Sequence, residues 1–253
     1  MCYFRSLLRT ITAWCLFLLI SITIQCRTNK DTTIDNKANN QPAPCTTSAW
    51  EWRDPLPAGN CPGEIAFGNG KYVAVSDAGV IFTSPDGLSW QHQSLCTYYN
   101  FNDIIFEAGQ FVVAGDSGTI FTSNDGTNWY EQLSDAREPL NTVGYGSGTF
   151  VVAGEGGTVC TSPDRVKWTE QKTDSKYKLS FRSIAYGAGR FAVYAYPNYL
   201  LTSPDGVTWT TTLHYPDDDT IFNSVSYAHD HFLITGYTRK RSGLIFSSRD
   251  GIS

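Results

Sequence analysis

The sequence predicts an all-β fold: a five-bladed β-propeller with four-stranded antiparallel blades, sealed by an N-terminal strand in a Velcro closure. Three observations predict it. A short signature ending in Trp recurs along the chain at nearly constant spacing. The intervals between copies divide into short apolar runs broken by Gly, Asn and Asp. The composition, 14% aromatic with 22 glycines, suits many short strands joined by tight turns. No stretch holds a 3.6-residue apolar period, so helix is expected to be nearly absent.

The signature reads Thr83-Ser84-Pro85-Asp86-Gly87-Leu88-Ser89-Trp90 in its first copy and Thr122-Ser123-Asn124-Asp125-Gly126-Thr127-Asn128-Trp129 in its second. The third is Thr161-Ser162-Pro163-Asp164-Arg165-Val166-Lys167-Trp168, and the fourth Thr202-Ser203-Pro204-Asp205-Gly206-Val207-Thr208-Trp209. A fifth, Ser247-Ser248-Arg249-Asp250-Gly251-Ile252-Ser253, stops before its Trp. The Trp-to-Trp intervals are 39, 39 and 41 residues, about the 40 residues of one four-stranded blade. In the second unit Phe101 to Phe106 alternates as strand a, Ala108-Gly109 turns, and Phe111 to Ala114 is strand b. Gly115 to Gly118 is a hairpin loop, Thr119 to Ser123 is strand c, and Trp129 opens strand d. The signature is structural: Asp accepts backbone N–H bonds in the turn, Gly permits positive φ, and Trp covers the seam between neighbouring sheets. Asp86, Asp125, Asp164, Asp205 and Asp250 are therefore expected as turn residues. Arg165, standing where the other copies have Gly, is expected to force another turn type, because a left-handed Arg is strained.

The two ends complement each other. The fifth unit supplies strands a to c, Phe222 to Tyr227, Phe232 to Thr235 and Leu244 to Ser248, but no strand d. Trp50-Glu51-Trp52 reads as a strand d with nothing before it. Pairing of Trp50–Arg53 with Leu244–Ser248 would complete the fifth blade and cover an aggregation-prone edge. A larger propeller of six or seven blades, cut short, reads the same way.

Upstream, Arg5 and Arg9 precede an apolar run of 14 residues, Ile11 to Ile24. That is short for a membrane span and suited to a signal-peptide core. The expected organisation is a signal peptide over 1–25, a polar tether over 26–49 and the propeller over 50–253. Cys26, at the end of the apolar run, resembles the lipidated Cys of a bacterial lipoprotein. Thr23-Ile24-Gln25 departs from the usual Leu, small residue, then Gly or Ala. Lipidation at Cys26, ordinary secretion and an uncleaved anchor are the alternatives. An exported, envelope-anchored chain is permitted disulfides, and Cys45, Cys61 and Cys96 have open connectivity, Cys61 with Cys96 being one pairing. Cys160 stands where three other units have Phe and is expected as a buried thiol. A net charge of −5 and the absence of a basic stretch longer than Arg239-Lys240-Arg241 exclude nucleic acid as a partner.

The Ser-x-Asp-Gly-x-x-Trp signature resembles the Asp-box of the sialidase-like (BNR) propellers, shortened by one residue. It is more similar to repeats of bacterial propellers related to photosystem II stability and assembly factors. That resemblance spans about 50–253 and implies a propeller whose Asp-boxes lie between strands c and d, opposite the ligand face. Sialidase chemistry would need an Arg cluster, a Tyr nucleophile and two acids. Of eight arginines after the tether, only Arg182 begins an inner strand, so no catalytic residue is assigned and no enzyme is expected.

No cofactor or metal is expected either. His229-Asp230-His231 falls in an a–b turn without a third ligand, and Asp217-Asp218-Asp219 lacks calcium-loop spacing. A ligand site, if present, belongs on the face of the d–a and b–c loops. There Asn102, Asn141, Arg182 and Asn223 begin strand a of successive units, and Asp77, Asp116 and Glu155 occupy b–c loops. These groups either bind a ligand through several hydrogen bonds or satisfy backbone around a channel. Tyr98, Tyr99 and Tyr215 add loop surface suited to protein or glycan. The functional expectation is a monomeric, non-enzymatic envelope module that binds or scaffolds an unidentified protein or glycan. A lectin-like propeller is the alternative, and a glycoside hydrolase the remote one.

Overall fold

The computed structural model describes residues 62–171, 173, 179–215, 219–240 and 242–252. The expected signal, tether, Cys26 and the strand around Trp50–Arg53 lie outside them.

Among the described residues the chain is all-β. The first sheet holds β1 (Glu64–Gly68), β2 (Lys71–Val75), β3 (Val80–Ser84) and β4 (Gln91–Ser94) in sequential antiparallel order. The second holds β5 (Phe101–Glu107), β6 (Gln110–Gly115), β7 (Ile120–Ser123) and β8 (Tyr130–Glu131). A short β9 (Leu133–Ser134) precedes the third sheet of β10 (Leu140–Gly146), β11 (Thr149–Gly154), β12 (Val159–Ser162) and β13 (Lys167–Gln171). The fourth is β14 (Ser180–Gly187), β15 (Arg190–Tyr196), β16 (Tyr199–Ser203) and β17 (Thr210–His214). The fifth has three described strands, β18 (Thr220–Ala228), β19 (His231–Thr238) and β20 (Gly243–Ser248). Helix is limited to three single 3-10 turns, Asp77–Gly79, Asp116–Gly118 and Glu155–Gly157, each a b–c turn.

Successive sheets pack face to face, which explains why the second strands are apolar on both faces. Phe111, Val112, Val113 and Ala114 are all fully buried, as a sheet covered on both sides requires. Four buried clusters each join two consecutive sheets, as with Ile105, Val112 and Ile120 packing on Leu140, Phe150 and Trp168, and Val151 and Val159 on Ile184 and Phe191; a further cluster of Ala74, Val80 and Phe82 lies within the first sheet. Glycines near the ends of inner strands admit the next sheet's aromatic ring. A Cβ on Gly68 would meet Phe106, one on Gly146 would meet Tyr186, and one on Gly187 would meet Tyr227. Cys160 is buried in this packing, and loss of solvation pushes its thiol up to about 12.

Packing of inner strand on inner strand runs β1 on β5, β5 on β10, β10 on β14 and β14 on β18. β18 and β1 do not pack in this way. On β1, Phe67 is 55% exposed and Ile65 44%, whereas Ile104, Val143, Ile184 and Val225, the equivalents of Ile65, are buried.

The Asp-boxes lie between the third and fourth strands. In the first, Asp86 Oδ1 accepts Leu88 N (2.8 Å), Ser89 N (2.9 Å) and the Ser84 hydroxyl (3.0 Å), while Ser84 Oγ accepts Gly87 N (2.8 Å). Asp125, Asp164 and Asp205 make the same set, and Asp250 accepts Ser248 Oγ and Ile252 N. Arg165 corrects one expectation: its turn is of the same type. It takes φ 66° beside 71° at Gly126 and 78° at Gly206, and its N–H still donates to Ser162 Oγ (2.8 Å). The Ser and Asp side chains set this turn, and the Arg165 guanidinium is tied to Ala108 O (3.0 Å). The mismatch surfaces at Trp168, whose buried indole N–H has no partner among the described residues, whereas Trp209 Nε1 donates to Gly206 O at 2.9 Å.

Backbone N–H groups hold these carboxyls below the ordinary range: Ser89 and Leu88 at Asp86, Asn128 and Thr127 at Asp125, Val166 and Lys167 at Asp164. A folded pKa below the unfolded one gives stability that is present above pH about 4 and lost as pH falls through the folded value. The melting temperature, followed by circular dichroism, is expected to hold from pH 7 to about 5 and drop below about 4. Asp125→Asn should flatten that drop; a midpoint that rises on acidification contradicts the assignment.

Candidate functional site

Four of the expected site residues share a backbone feature absent from the sequence reading. Each sits where an inner strand slips register against its neighbour: Asn102 between Phe101 and Asp103, Asn141 between Leu140 and Thr142, Arg182 between Phe181 and Ser183, and Asn223 between Phe222 and Ser224. A bulge inserts one residue that pairs with nothing and re-aims its side chain. Four equivalent side chains are thereby delivered to the end of the sheets that carries the b–c turns.

The acids of those turns meet them. Asn102 Nδ2 donates to Asp116 Oδ1 (3.1 Å) and to Leu140 O of the next sheet (3.0 Å). Asn141 Nδ2 repeats the pattern with Glu155 Oε1 (3.2 Å) and Phe181 O (2.9 Å). Glu155 also takes the Arg182 guanidinium at 3.1 Å. Asp77 occupies the matching turn of the first sheet and is exposed. Asn102 and Asn141 thus link one sheet to the backbone of the next, while Arg182 and Asn223 are exposed. Asn223 makes no side-chain hydrogen bond among the described residues.

Asp77, Asp116 and Glu155 lie on the first three sheets and Arg182 on the fourth; on the fifth, Arg239 and Lys240 after β19 stand with Asp219 before β18, whose carbonyl takes Arg239 N (2.7 Å). Tyr194 lies close to Arg182, Tyr196 and Tyr237. Burial pushes the Tyr194 phenol up to about 12, against the favourable influence of Arg182, so it stays a neutral donor at physiological pH. A shallow groove of about 420 Å³ runs between Tyr99, the Ser117–Thr119 turn and Glu131 to Ala136.

Residues directly after the bulges escaped the sequence reading. Asp103, Thr142 and Ser183 are polar but buried, and they fasten each inner strand to the next through Val143 N, Ile184 N and Val225 N. Their signal was a polar residue at one fixed offset in successive units. Tyr215 differs from expectation: it packs with Phe222 and Phe246 (ring centroids 6.1 and 5.9 Å) instead of lying free on a loop, whereas Tyr98 and Tyr99 are exposed. Cys96 is a free, exposed thiol, and Cys61 lies outside the described residues. His231 Nδ1 lies 2.8 Å from His229 O within the turn. Among the described residues no three acidic, His or Cys side chains group to hold a metal, and no helix is long and apolar enough to cross a membrane.

No family model and no curated protein sequence matches the chain. Among solved structures it is similar to YCF48 from Cyanidioschyzon merolae, at 17% identity and a TM-score of 0.57, covering 72% of this chain and 66% of that one. It is also similar to YCF48 bound to D1 peptide, at 15% identity and a TM-score of 0.58, covering 76% of this chain and 64% of that one. The chain thus spans slightly less than two thirds of the length of either neighbour. At such identities the likeness shows the fold, and it supports the propeller drawn from the repeat.

Proposed function

We propose that the chain is a non-enzymatic binding propeller whose bulged end holds an extended segment of a partner protein. The observation that carries this reading is the difference between the two halves of the row. In the second and third sheets the bulge amides are spent on acids and backbone. At the fourth and fifth, Arg182 stays exposed although one side of its guanidinium reaches Glu155 at 3.1 Å, Asn223 is exposed and makes no side-chain hydrogen bond among the described residues, and the phenols of Tyr196 and Tyr237 are exposed on the same two sheets. A guanidinium and an amide flanked by aromatics recognise peptide carbonyls and carboxylates. That a neighbour of the same fold is bound to D1 peptide supports a peptide as the ligand class.

Twelve-residue peptides selected on the chain from a displayed library test the reading. They are expected to lose at least about ten-fold in affinity for the Arg182→Ala/Asn223→Ala variant, the worth of one or two charge-assisted hydrogen bonds. Selected peptides indifferent to that variant would sink it.

Two features complete the proposal. The chain is exported and anchored in the envelope through Cys26; labelling with a palmitate analogue that persists in Cys26→Ser would reject this. The fifth sheet takes its fourth strand from the segment around Trp50–Arg53; a closed five-bladed ring would also bring β18 against β1, which do not pack on each other among the described residues. An Arg53→Cys/Ser247→Cys variant is expected to oxidise to an internal cross-link, and a variant that stays reduced argues for an open or larger array.

A further inference from the structure

Two departures from the repeat meet in one groove. Of the five Asp-boxes, three carry Pro before the Asp, at Pro85, Pro163 and Pro204, whereas the second carries Asn124. Four carry Gly after the Asp, whereas the third carries Arg165. Asn124 belongs to the second sheet and Arg165 to the turn of the third, and both line a groove of about 300 Å³ at the Asp-box end of the molecule. Gln110, Tyr130 and Gln132 line it with them. It lies away from the bulged end and owes nothing to the function proposed above.

The side chains there are an unusual set for a structural turn. Gln110 Nε2 donates to Asn124 Oδ1 at 2.9 Å, which fixes both amides, yet Gln110 Oε1 is buried without a partner. Gln132 Nε2 is held by Thr122 Oγ1 (2.8 Å) and Tyr130 O (3.2 Å). Among the described residues Arg165 is anchored through Nη1, to Ala108 O, which leaves its remaining donors for another partner. Tyr130 is 64% exposed and offers a ring face. Gln132 is common to the repeat: Gln93 and Gln171 hold its place in the first and third units, and Gln171 makes the same two bonds, to Thr161 Oγ1 (2.8 Å) and Thr169 O (3.2 Å). At the other equivalent positions stand Lys71, Pro85, Gln91 and Gly126 between the first and second sheets, and Thr149, Pro163, Thr169 and Gly206 between the third and fourth. Neither neighbouring seam has two fixed amides, an aromatic ring and a guanidinium together.

We propose that this groove, between the edges of the second and third sheets, is a binding site for a neutral pyranose, a single sugar residue or the end of a glycan. Fixed amides present donor and acceptor side by side, the pattern a pair of adjacent hydroxyls satisfies. A phenol ring packs on the apolar C–H face of a pyranose while its hydroxyl stays in water. The volume is at the small end of ligand pockets, suited to one ring and too small for a folded partner. Placing the functional residues at the two deviating positions also explains why a left-handed Arg is kept in a turn that Gly would fill without strain.

The test uses the full chain with the methyl glycosides of glucose, galactose, mannose and N-acetylglucosamine at millimolar concentration. Saturation-transfer NMR is expected to show transfer to at least one of them, with titration giving its dissociation constant. Asn124→Pro/Arg165→Gly, which restores the residues of the other boxes, should keep the melting temperature and weaken that sugar at least about ten-fold, roughly the worth of two hydrogen bonds. Tyr130→Ala should do the same, and Tyr130→Phe should retain most of the affinity. Arg182→Ala/Asn223→Ala should leave the sugar unaffected, and peptides selected on the bulged end should bind Asn124→Pro/Arg165→Gly unchanged. Absence of transfer from all four glycosides overturns the proposal. So does transfer that survives Asn124→Pro/Arg165→Gly, or that is abolished by Arg182→Ala/Asn223→Ala.

Discussion

Replacing Asp103 with alanine is expected to lower the unfolding free energy by about 3 kcal/mol. The carboxylate is only 4% exposed. Oδ1 accepts Ile104 N at 2.8 Å in its own strand, and Oδ2 accepts Val143 N at 2.8 Å and the Thr142 hydroxyl at 3.0 Å in the next sheet. One side chain thus bonds two inner strands whose backbones are too far apart to pair. Hydrogen bonds to a charged group are worth about 1.5–3 kcal/mol, and truncation also leaves the Val143 amide buried without an acceptor. The effect should spread along the row, because Thr142 Oγ1 accepts Ile184 N (3.2 Å), and Ser183 accepts Val225 N (2.9 Å) and donates to Val225 O (3.2 Å). Asp103→Asn keeps an acceptor and should cost about half as much. Urea unfolding of the two variants beside Asn102→Ala, whose amide is half exposed, measures the difference. A loss below about 1 kcal/mol for Asp103→Ala would show that apolar packing alone holds the second and third sheets together.

That Asp103 lay hidden in the sequence has a physical cause. Strands a to c were legible because their apolar runs and Gly-Asn-Asp breaks are local signals; Phe101–Glu107 and Gln110–Gly115 fall where the pattern places them. Alternation, however, assigns polar residues to solvent, and Asp103, Thr142 and Ser183 are polar residues facing a neighbouring sheet. The candidate row was legible as equivalent positions, Asn102, Asn141, Arg182 and Asn223, but not as bulges. Register belongs to a pair of strands, and one strand's residues do not state it. Fourth strands carried the weakest signal: β8 is two residues long, and β9 leaves its own unit to run parallel to β13, pairing Leu133 with Lys167. The Arg165 turn was misjudged because the penalty for positive φ was weighed without the Ser162 and Asp164 bonds that override it.

Gly154→Ala should be still more damaging, at about 3 kcal/mol or above. Its φ of −161° is extended backbone open to any residue, so no conformational penalty applies; the obstacle is space. A Cβ there would fall on the carbonyl oxygen of Pro139 and within 2.8 Å of Leu140 Cα. Both belong to backbone pinned on two sides, since Glu155 N donates to Pro139 O (2.9 Å) and Leu140 O takes Asn102 Nδ2. A side chain could swing away; this turn cannot. The same geometry recurs at Gly115 and Gly236, where a Cβ would lie 2.5 Å from Asn100 O and from Ile221 O. Ala195 holds the matching place in the fourth sheet, where β14 begins pairing one residue earlier, Ser180 with Tyr196, ahead of its bulge. Ser76 holds it in the first sheet, whose inner strand has no register shift. Early pairing alone does not decide the residue, since β18 also pairs ahead of its bulge, Ile221 with Tyr237, and keeps Gly236. Ala195→Gly should cost only about 1 kcal/mol, from added freedom of the unfolded chain and a lost methyl. Equal losses in the two variants, measured by urea unfolding, would mean that the bulged corner yields, and that the side chains it aims at the candidate site are less firmly placed than these contacts require.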